Sequence, residues 1–166
     1  NQNGDDGTFW DKAIEIATAE ELAYFAQQVN SKQSINYGDG KSIDPAGKDQ
    51  AGGFMSYYFA LSADIDLSGY DWTPIGNTFK GNFDGRGHCV NGLKVMKVET
   101  VSGEAYAGLF GCTSVGILRN LGVRLADAGI QVNSTDGAVY AGGIAGYAHK
   151  IFNCYVVGEG RIEIHS

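Results

Sequence analysis

The sequence predicts an all-β fold, a short parallel β-solenoid with an N-terminal strand–helix cap. Three observations predict it. Glycine fills 25 of 166 positions, about twice the ~7% of ordinary proteins. Short apolar and β-branched runs recur at roughly 8–12-residue spacing between Gly, Asn and Asp, an all-β signature. A segment of the second half also repeats. Tyr106-Ala107-Gly108-Leu109-Phe110-Gly111 returns as Tyr140-Ala141-Gly142-Gly143-Ile144-Ala145-Gly146, and Ile117-Leu118-Arg119-Asn120-Leu121 as Lys150-Ile151-Phe152-Asn153-Cys154. A period of this length signals stacked units, and about 33 residues supply three short strands and three turns.

Residues 1–7, polar and acidic, predict a flexible tether ahead of one domain spanning 8–166. Thr8 to Ile16 alternates imperfectly and predicts a short strand. Thr18-Ala19-Glu20-Glu21 is a capping box, in which the Thr18 hydroxyl takes the Glu21 amide and the Glu21 carboxylate reaches back. Leu22, Phe25, Ala26 and Val29 follow at i, i+3, i+4 and i+7, the stripe of an amphipathic helix over 19–30. That stripe needs an apolar partner, and the open end of a solenoid provides one. Residues 31–53, rich in Gly, Ser, Asp and Lys, predict a long loop, either a functional insertion or a mobile segment. Strands are expected at Tyr57–Leu61, Ile65–Leu67, Cys89–Val98, Ala107–Phe110, Ile117–Val123, Gly129–Val132, Ala141–Ala145, Ile151–Val157 and Ile162–Ile164.

The repeat register places Asn120 and Asn153 one above the other at a turn, sharing side-chain amide hydrogen bonds, with Leu121 and Cys154 stacked inside. Cys89-Val90-Asn91-Gly92-Leu93 is an earlier and weaker copy. The expected core is Val90, Leu93, Leu109, Phe110, Leu121, Ile144, Ile151 and Cys154. The alternating Arg161–His165 segment carries no capping pattern, which predicts further stacked units beyond it, a strand folding back over it, or end-to-end pairing of two chains.

The run Phe79-Lys80-Gly81-Asn82-Phe83-Asp84-Gly85-Arg86-Gly87-His88-Cys89-Val90-Asn91-Gly92-Leu93, followed by Ala107-Gly108-Leu109-Phe110-Gly111, resembles the GLUG-motif family of bacterial surface proteins. Phe59-Ala60-Leu61-Ser62-Ala63-Asp64-Ile65-Asp66-Leu67-Ser68-Gly69, with Trp72-Thr73-Pro74-Ile75-Gly76, is similar to the segment that precedes the motif there. The resemblance covers most of 8–158. It departs at Cys89, where the family usually carries Thr, and at Gly142–Gly146, which is one residue longer than its counterpart. It implies a right-handed β-helix in a secreted or surface-anchored protein, often adhesin-like or protease-associated, and supplies no catalytic residue.

Asp84-Gly85-Arg86-Gly87-His88 gathers an acid, a base and an imidazole within five residues. Such a cluster serves either acid–base chemistry on polysaccharide or a Gly-rich turn whose aspartate caps backbone amides, and the turn is the expectation. Asp64 and Asp66, with Asp71 nearby, are a glycosidase or calcium pair on one reading and solvated turn caps on the other. Tyr37, Tyr57, Tyr58, Tyr70 and Trp72 are candidates for stacking on sugar rings. Cys89, Cys112 and Cys154 show neither CxxC nor zinc-ligand spacing, and which pair, if any, forms a disulfide is open. No nucleotide, metalloprotease or hydrolase signature occurs.

The net charge of −7 repels phosphate backbones and anionic membrane surfaces, and no apolar run approaches the roughly 18 residues of a membrane span, so neither nucleic acid nor direct membrane insertion is expected. With the secreted or surface setting that the resemblance implies, the expected protein is a non-enzymatic, extracellular or cell-surface module without cofactor, metal or catalytic residues. It would serve adhesion or recognition of a host or bacterial glycan or surface protein, with end-to-end self-association. The alternatives are a polysaccharide-acting β-helix enzyme and a purely structural stalk or spacer.

Overall fold

A computed structural model describes residues 5–47, 50–76, 79–96, 98–101, 103–133 and 137–165. A 3-10 turn, Trp10–Lys12, leads into β1, Ile14–Ile16, in place of the single strand expected from Thr8. The helix α1 covers Ala19–Ser31. Glu21 N donates to Thr18 Oγ1 at 3.1 Å, and Glu21 Oε2 accepts from Ala17 N at 2.9 Å. Lys32, in the left-handed region at φ 54°, closes the last turn by donating its N–H to the Gln28 and Val29 carbonyls. The loop expected over 31–53 contains an antiparallel hairpin, β2 (Ile35–Gly38) and β3 (Lys41–Ile43). Asp39 and Gly40 both take positive φ there, as a two-residue hairpin turn requires. Its buried Ile35 and Ile43 tie the hairpin to the core. Part of the expected tether, Asn1–Gly4, lies outside the described residues; Gly7 is buried, and its N–H donates to Lys12 O at 2.8 Å.

The remaining strands are β4 (Tyr58–Leu61), β5 (Ile65–Asp66), β6 (Asn82–Asp84), β7 (Cys89–Val95), β8 (Glu99–Val101), β9 (Glu104–Ala107), β10 (Phe110–Arg119), β11 (Gly122–Asn133), β12 (Val139–Ala141), β13 (Ala145–Phe152), β14 (Tyr155–Val157) and β15 (Ile162–His165). Sheet order is β1-β4-β6-β10-β13 in one parallel sheet and β14-β11-β7-β5 in a second, with β15 also on β11. A third sheet runs β12-β9-β8, and the hairpin β2-β3 is a fourth.

This arrangement corrects the expected fold class. The strands do not make a single all-β solenoid with a strand–helix cap. Among the described residues they divide into separate open sheets, parallel for the most part but antiparallel at β2/β3 and β8/β9. The helix packs its Leu22, Phe25, Ala26 and Val29 face on the core of what is a mixed α and β arrangement. The physical reason lies in two places. The repeat covers only two good copies, and nothing before residue 58 echoes it. The corners also interrupt the strands: four of the expected strands (107–110, 117–123, 141–145 and 151–157) straddle a break, at Gly108, Asn120, Gly142 or Asn153. No sheet therefore continues around a corner into the next.

Within the parallel sheets the repeat register is kept. Leu118 pairs with Ile151 across β10 and β13, and with Phe83 on β6. One apolar core joins the two large sheets and α1. At its centre Phe25 of α1 meets Phe59, Phe79 and Phe83 with ring centroids 4.7, 5.4 and 5.9 Å away. Tilted and edge-on aromatic contacts of this kind add to simple burial. Asn30 pins the end of the helix to the chain at 74–76. Its Nδ2 donates to Pro74 O at 3.1 Å, and its Oδ1 accepts from Gly76 N at 2.7 Å. Six of the eight expected core residues are buried, whereas Ile151 is 45% exposed and Cys154 half-buried. Ile151 lies in β13, the last strand of its sheet, and Cys154 at the corner between β13 and β14, and no further strand packs over either sheet end among the described residues.

Candidate recognition surface

The acid–base cluster proves to be turn framework. Asp84 is 6% exposed. Its Oδ1 accepts from Arg86 N at 2.8 Å and Asn120 Nδ2 at 3.1 Å, and its Oδ2 accepts from Arg119 Nε at 2.9 Å. A buried carboxylate with both oxygens engaged is a structural anchor. Arg119 also lies over the Trp10 ring at 3.7 Å, and Arg86 pairs with Glu15 at 2.9 Å. These contacts lock the 3-10 turn and β1 to β6 and β10. His88 turns away from Asp84 and meets Asp64, 3.2 Å from Nδ1 to Oδ1. The Cys89 amide, and then His88, hold the exposed Asp64 carboxyl below its usual value. Asp66 Oδ1 caps Ser68 N at 2.9 Å, and Asp71 pairs with Lys94 at 2.7 Å. The carboxylates thus serve separate local turns and pairs. Among the described residues no three His, Cys, Asp or Glu side chains are grouped to hold a metal ion.

Cys89, Cys112 and Cys154 form no disulfide. Burial pushes the Cys89 and Cys154 thiols up, away from the reactive thiolate. Trp72 is a core residue whose Nε1 donates to Leu109 O at 3.0 Å. Tyr37, Tyr57 and Tyr70 are half-buried against the core, and Tyr58 packs on Phe9 and Trp10. The expected sugar-stacking aromatics therefore do not gather into a platform.

A different aromatic pair does. Tyr106 of β9 and Tyr140 of β12 are register partners. Their rings stack at 5.1 Å and 11°. Tyr106 Oη donates to Glu104 Oε2 at 2.7 Å, and Tyr140 Oη to Glu104 Oε1 at 3.5 Å. The hydrogen bond to Glu104 raises the Tyr106 phenol far above the usual 10.0. Both tyrosines were visible in the sequence as landmarks of the repeat. Nothing local in it marked them as a stacked, carboxylate-linked pair, because that follows from strand pairing.

Tyr140 adjoins a larger feature. Among the described residues β13, β14 and β12 each stand last in their sheets, and β15 pairs only with β11. Among the described residues, nine of the eleven exposed large apolar side chains fall between Tyr140 and Ile164. Phe152 is 55% exposed, Tyr147 and Tyr155 each 50%, and Ile164 54%. Open strand edges and apolar side chains thus coincide. Such edges accept further strands, and contiguous apolar patches mark interaction sites.

Comparison of the chain with protein-family models, with curated proteins and with solved structures finds no match.

Proposed function

We propose that this chain is a non-enzymatic recognition module of a secreted or surface-anchored bacterial protein, and that the face formed by β13, β14 and β15 takes a protein partner. The observation that carries the reading is the concentration of exposed aromatic and aliphatic side chains on strands whose outer edges are unpaired. Main-chain pairing along an edge gives affinity, and the alternate side chains give selectivity. The resemblance to the GLUG-motif family supports the extracellular setting. The full engagement of Asp84 favours a binding role over polysaccharide chemistry.

The test is a screen of the soluble chain on arrays of glycans and host-matrix proteins, with a Phe152→Lys/Ile164→Lys variant alongside. Binding to a defined protein that the variant loses is the expected result. Equal binding by chain and variant, or binding to glycans alone, contradicts the reading. A glycan reading has its own support in the Tyr140 ring, stacked on Tyr106 and linked to Glu104. On that reading Tyr140→Ala abolishes a glycan signal that Phe152→Lys/Ile164→Lys leaves unchanged.

A further inference from the structure

We infer that the partner at this face is a second copy of the chain, the two joined end to end across a twofold axis with their β13 strands pairing antiparallel. The inference rests on the reading of β13–β15 as a protein-binding face and adds the identity of the occupant.

Charge is the first argument. The chain carries −7 overall, so two copies repel wherever acidic surfaces meet. Residues 139–165 hold two cations, Lys150 and Arg161, against two anions, Glu159 and Glu163, for a net charge of zero. The whole excess of negative charge lies elsewhere. On this face two copies approach without net repulsion, and it carries both signs of charge.

Geometry is the second argument. β13 pairs with β10 on one side, and its other edge has no partner strand among the described residues. A twofold rotation about an axis normal to that sheet reverses the strand direction. The sheet then continues from one copy into the other through an antiparallel pair, the more stable kind of ladder. The same rotation keeps the apolar face of each sheet on the same side.

Area is the third argument. Exposed side chains such as Tyr147, Ile151, Phe152, Tyr155, Ile162 and Ile164 each leave about half of their surface in water. With an aromatic side chain offering 150–250 Å² and an isoleucine somewhat less, these six leave on the order of 500–600 Å² exposed. A stable interface needs about 800 Å² per partner, so these side chains supply the larger part and the backbone edges and smaller neighbours the rest.

Sedimentation velocity over a concentration series tests the inference on the intact chain, on Phe152→Lys and Ile164→Lys, and on a Phe9→Lys control that alters an exposed aromatic elsewhere. Circular dichroism of each variant checks that it is folded. The expected result is a reversible dimer whose dissociation constant rises roughly tenfold or more in the two face variants and stays unchanged in the control. A chain monomeric up to roughly 1 mM, or a dimer indifferent to the face variants, overturns the second copy. The array screen separates the two failures. If the chain is monomeric but the face variants still lose a protein target, the recognition reading stands without self-association. If they lose neither, both fall.

Discussion

Asn153 donates its side-chain amide to Oδ1 of Asn120 at 3.0 Å, and Asn120 in turn donates to Asp84 at 3.1 Å. Both asparagines sit in the left-handed region, at φ 51° and 52°. Each therefore does two things. It lets the chain turn where most residues resist, and it links its corner to the corner of the neighbouring strand.

Asn120→Ala removes both functions. A left-handed alanine costs about 1–2 kcal/mol, and the lost hydrogen bonds add about 1 kcal/mol. Denaturant unfolding is expected to show a loss of about 2–3 kcal/mol. Asn120→Gly, which restores the backbone freedom alone, is expected to recover about half of it. Equal losses for Ala and Gly would mean that the turn conformation carries no weight.

Phe25→Ala is expected to cost about 3–5 kcal/mol. Phe25 is almost fully buried among Phe59, Phe79 and Phe83, so its removal leaves a cavity ringed by aromatic side chains. A variant as stable as the parent in the same unfolding experiment would place α1 outside the core.

Gly85 lies against the next corner. A Cβ there would stand 2.6 Å from Leu121 Cα and meet the Asn120 carbonyl oxygen. Backbone cannot swing aside as a side chain can, so Gly85→Ala is expected to destabilise by about 1–3 kcal/mol. The melting temperature reports it, and an unchanged value would mean that the two corners are not in contact.

Tyr106 is expected to resist ionisation. Its hydrogen bond to Glu104 raises its pKa above the usual 10.0, so the folded protein holds the phenolic proton more tightly than the unfolded chain does. The stabilisation is present in full below about pH 10 and is lost as pH rises through the folded value. Ultraviolet difference titration is expected to show a late phenol that Tyr106→Phe removes and Glu104→Gln returns to the range of the others. Its absence from the parent would mean that the Glu104 contact does not form in solution.

What the sequence made legible was local. Thr18, Glu21 and the stripe from Leu22 to Val29 specify α1 through contacts within a few residues. The pairing of Asn120 with Asn153 follows from the repeat offset, and the turn role of Asp84 from its glycine neighbours. Asp39-Gly40 was equally local. It is a hairpin turn lodged in a polar stretch, and the polarity concealed the short strands on either side. Partition into separate sheets was not legible, because it depends on which distant strands pair and on where corners stop them. Burial of Ile151 was overestimated for a related reason. The repeat places it at an inward position, but its burial needs a strand on the far side of β13, and none pairs there among the described residues. The uncapped Arg161–His165 segment was legible as an open end, but the exposure of Tyr140 to Val157 could not be read until the ends of the sheets were known.

Amide hydrogen exchange along β13, β14 and β15 tests the central claim most directly, since that claim places recognition on the open edges of these strands. In the dilute chain their outward amides are expected to exchange far faster than those of β10 and β11, which are paired on both sides. They are expected to become protected on binding a protein target from the array or on raising the chain concentration, while the rest of the molecule keeps its rates. Edges already protected in the dilute chain, or protection by the partner that falls on another face, would contradict the account.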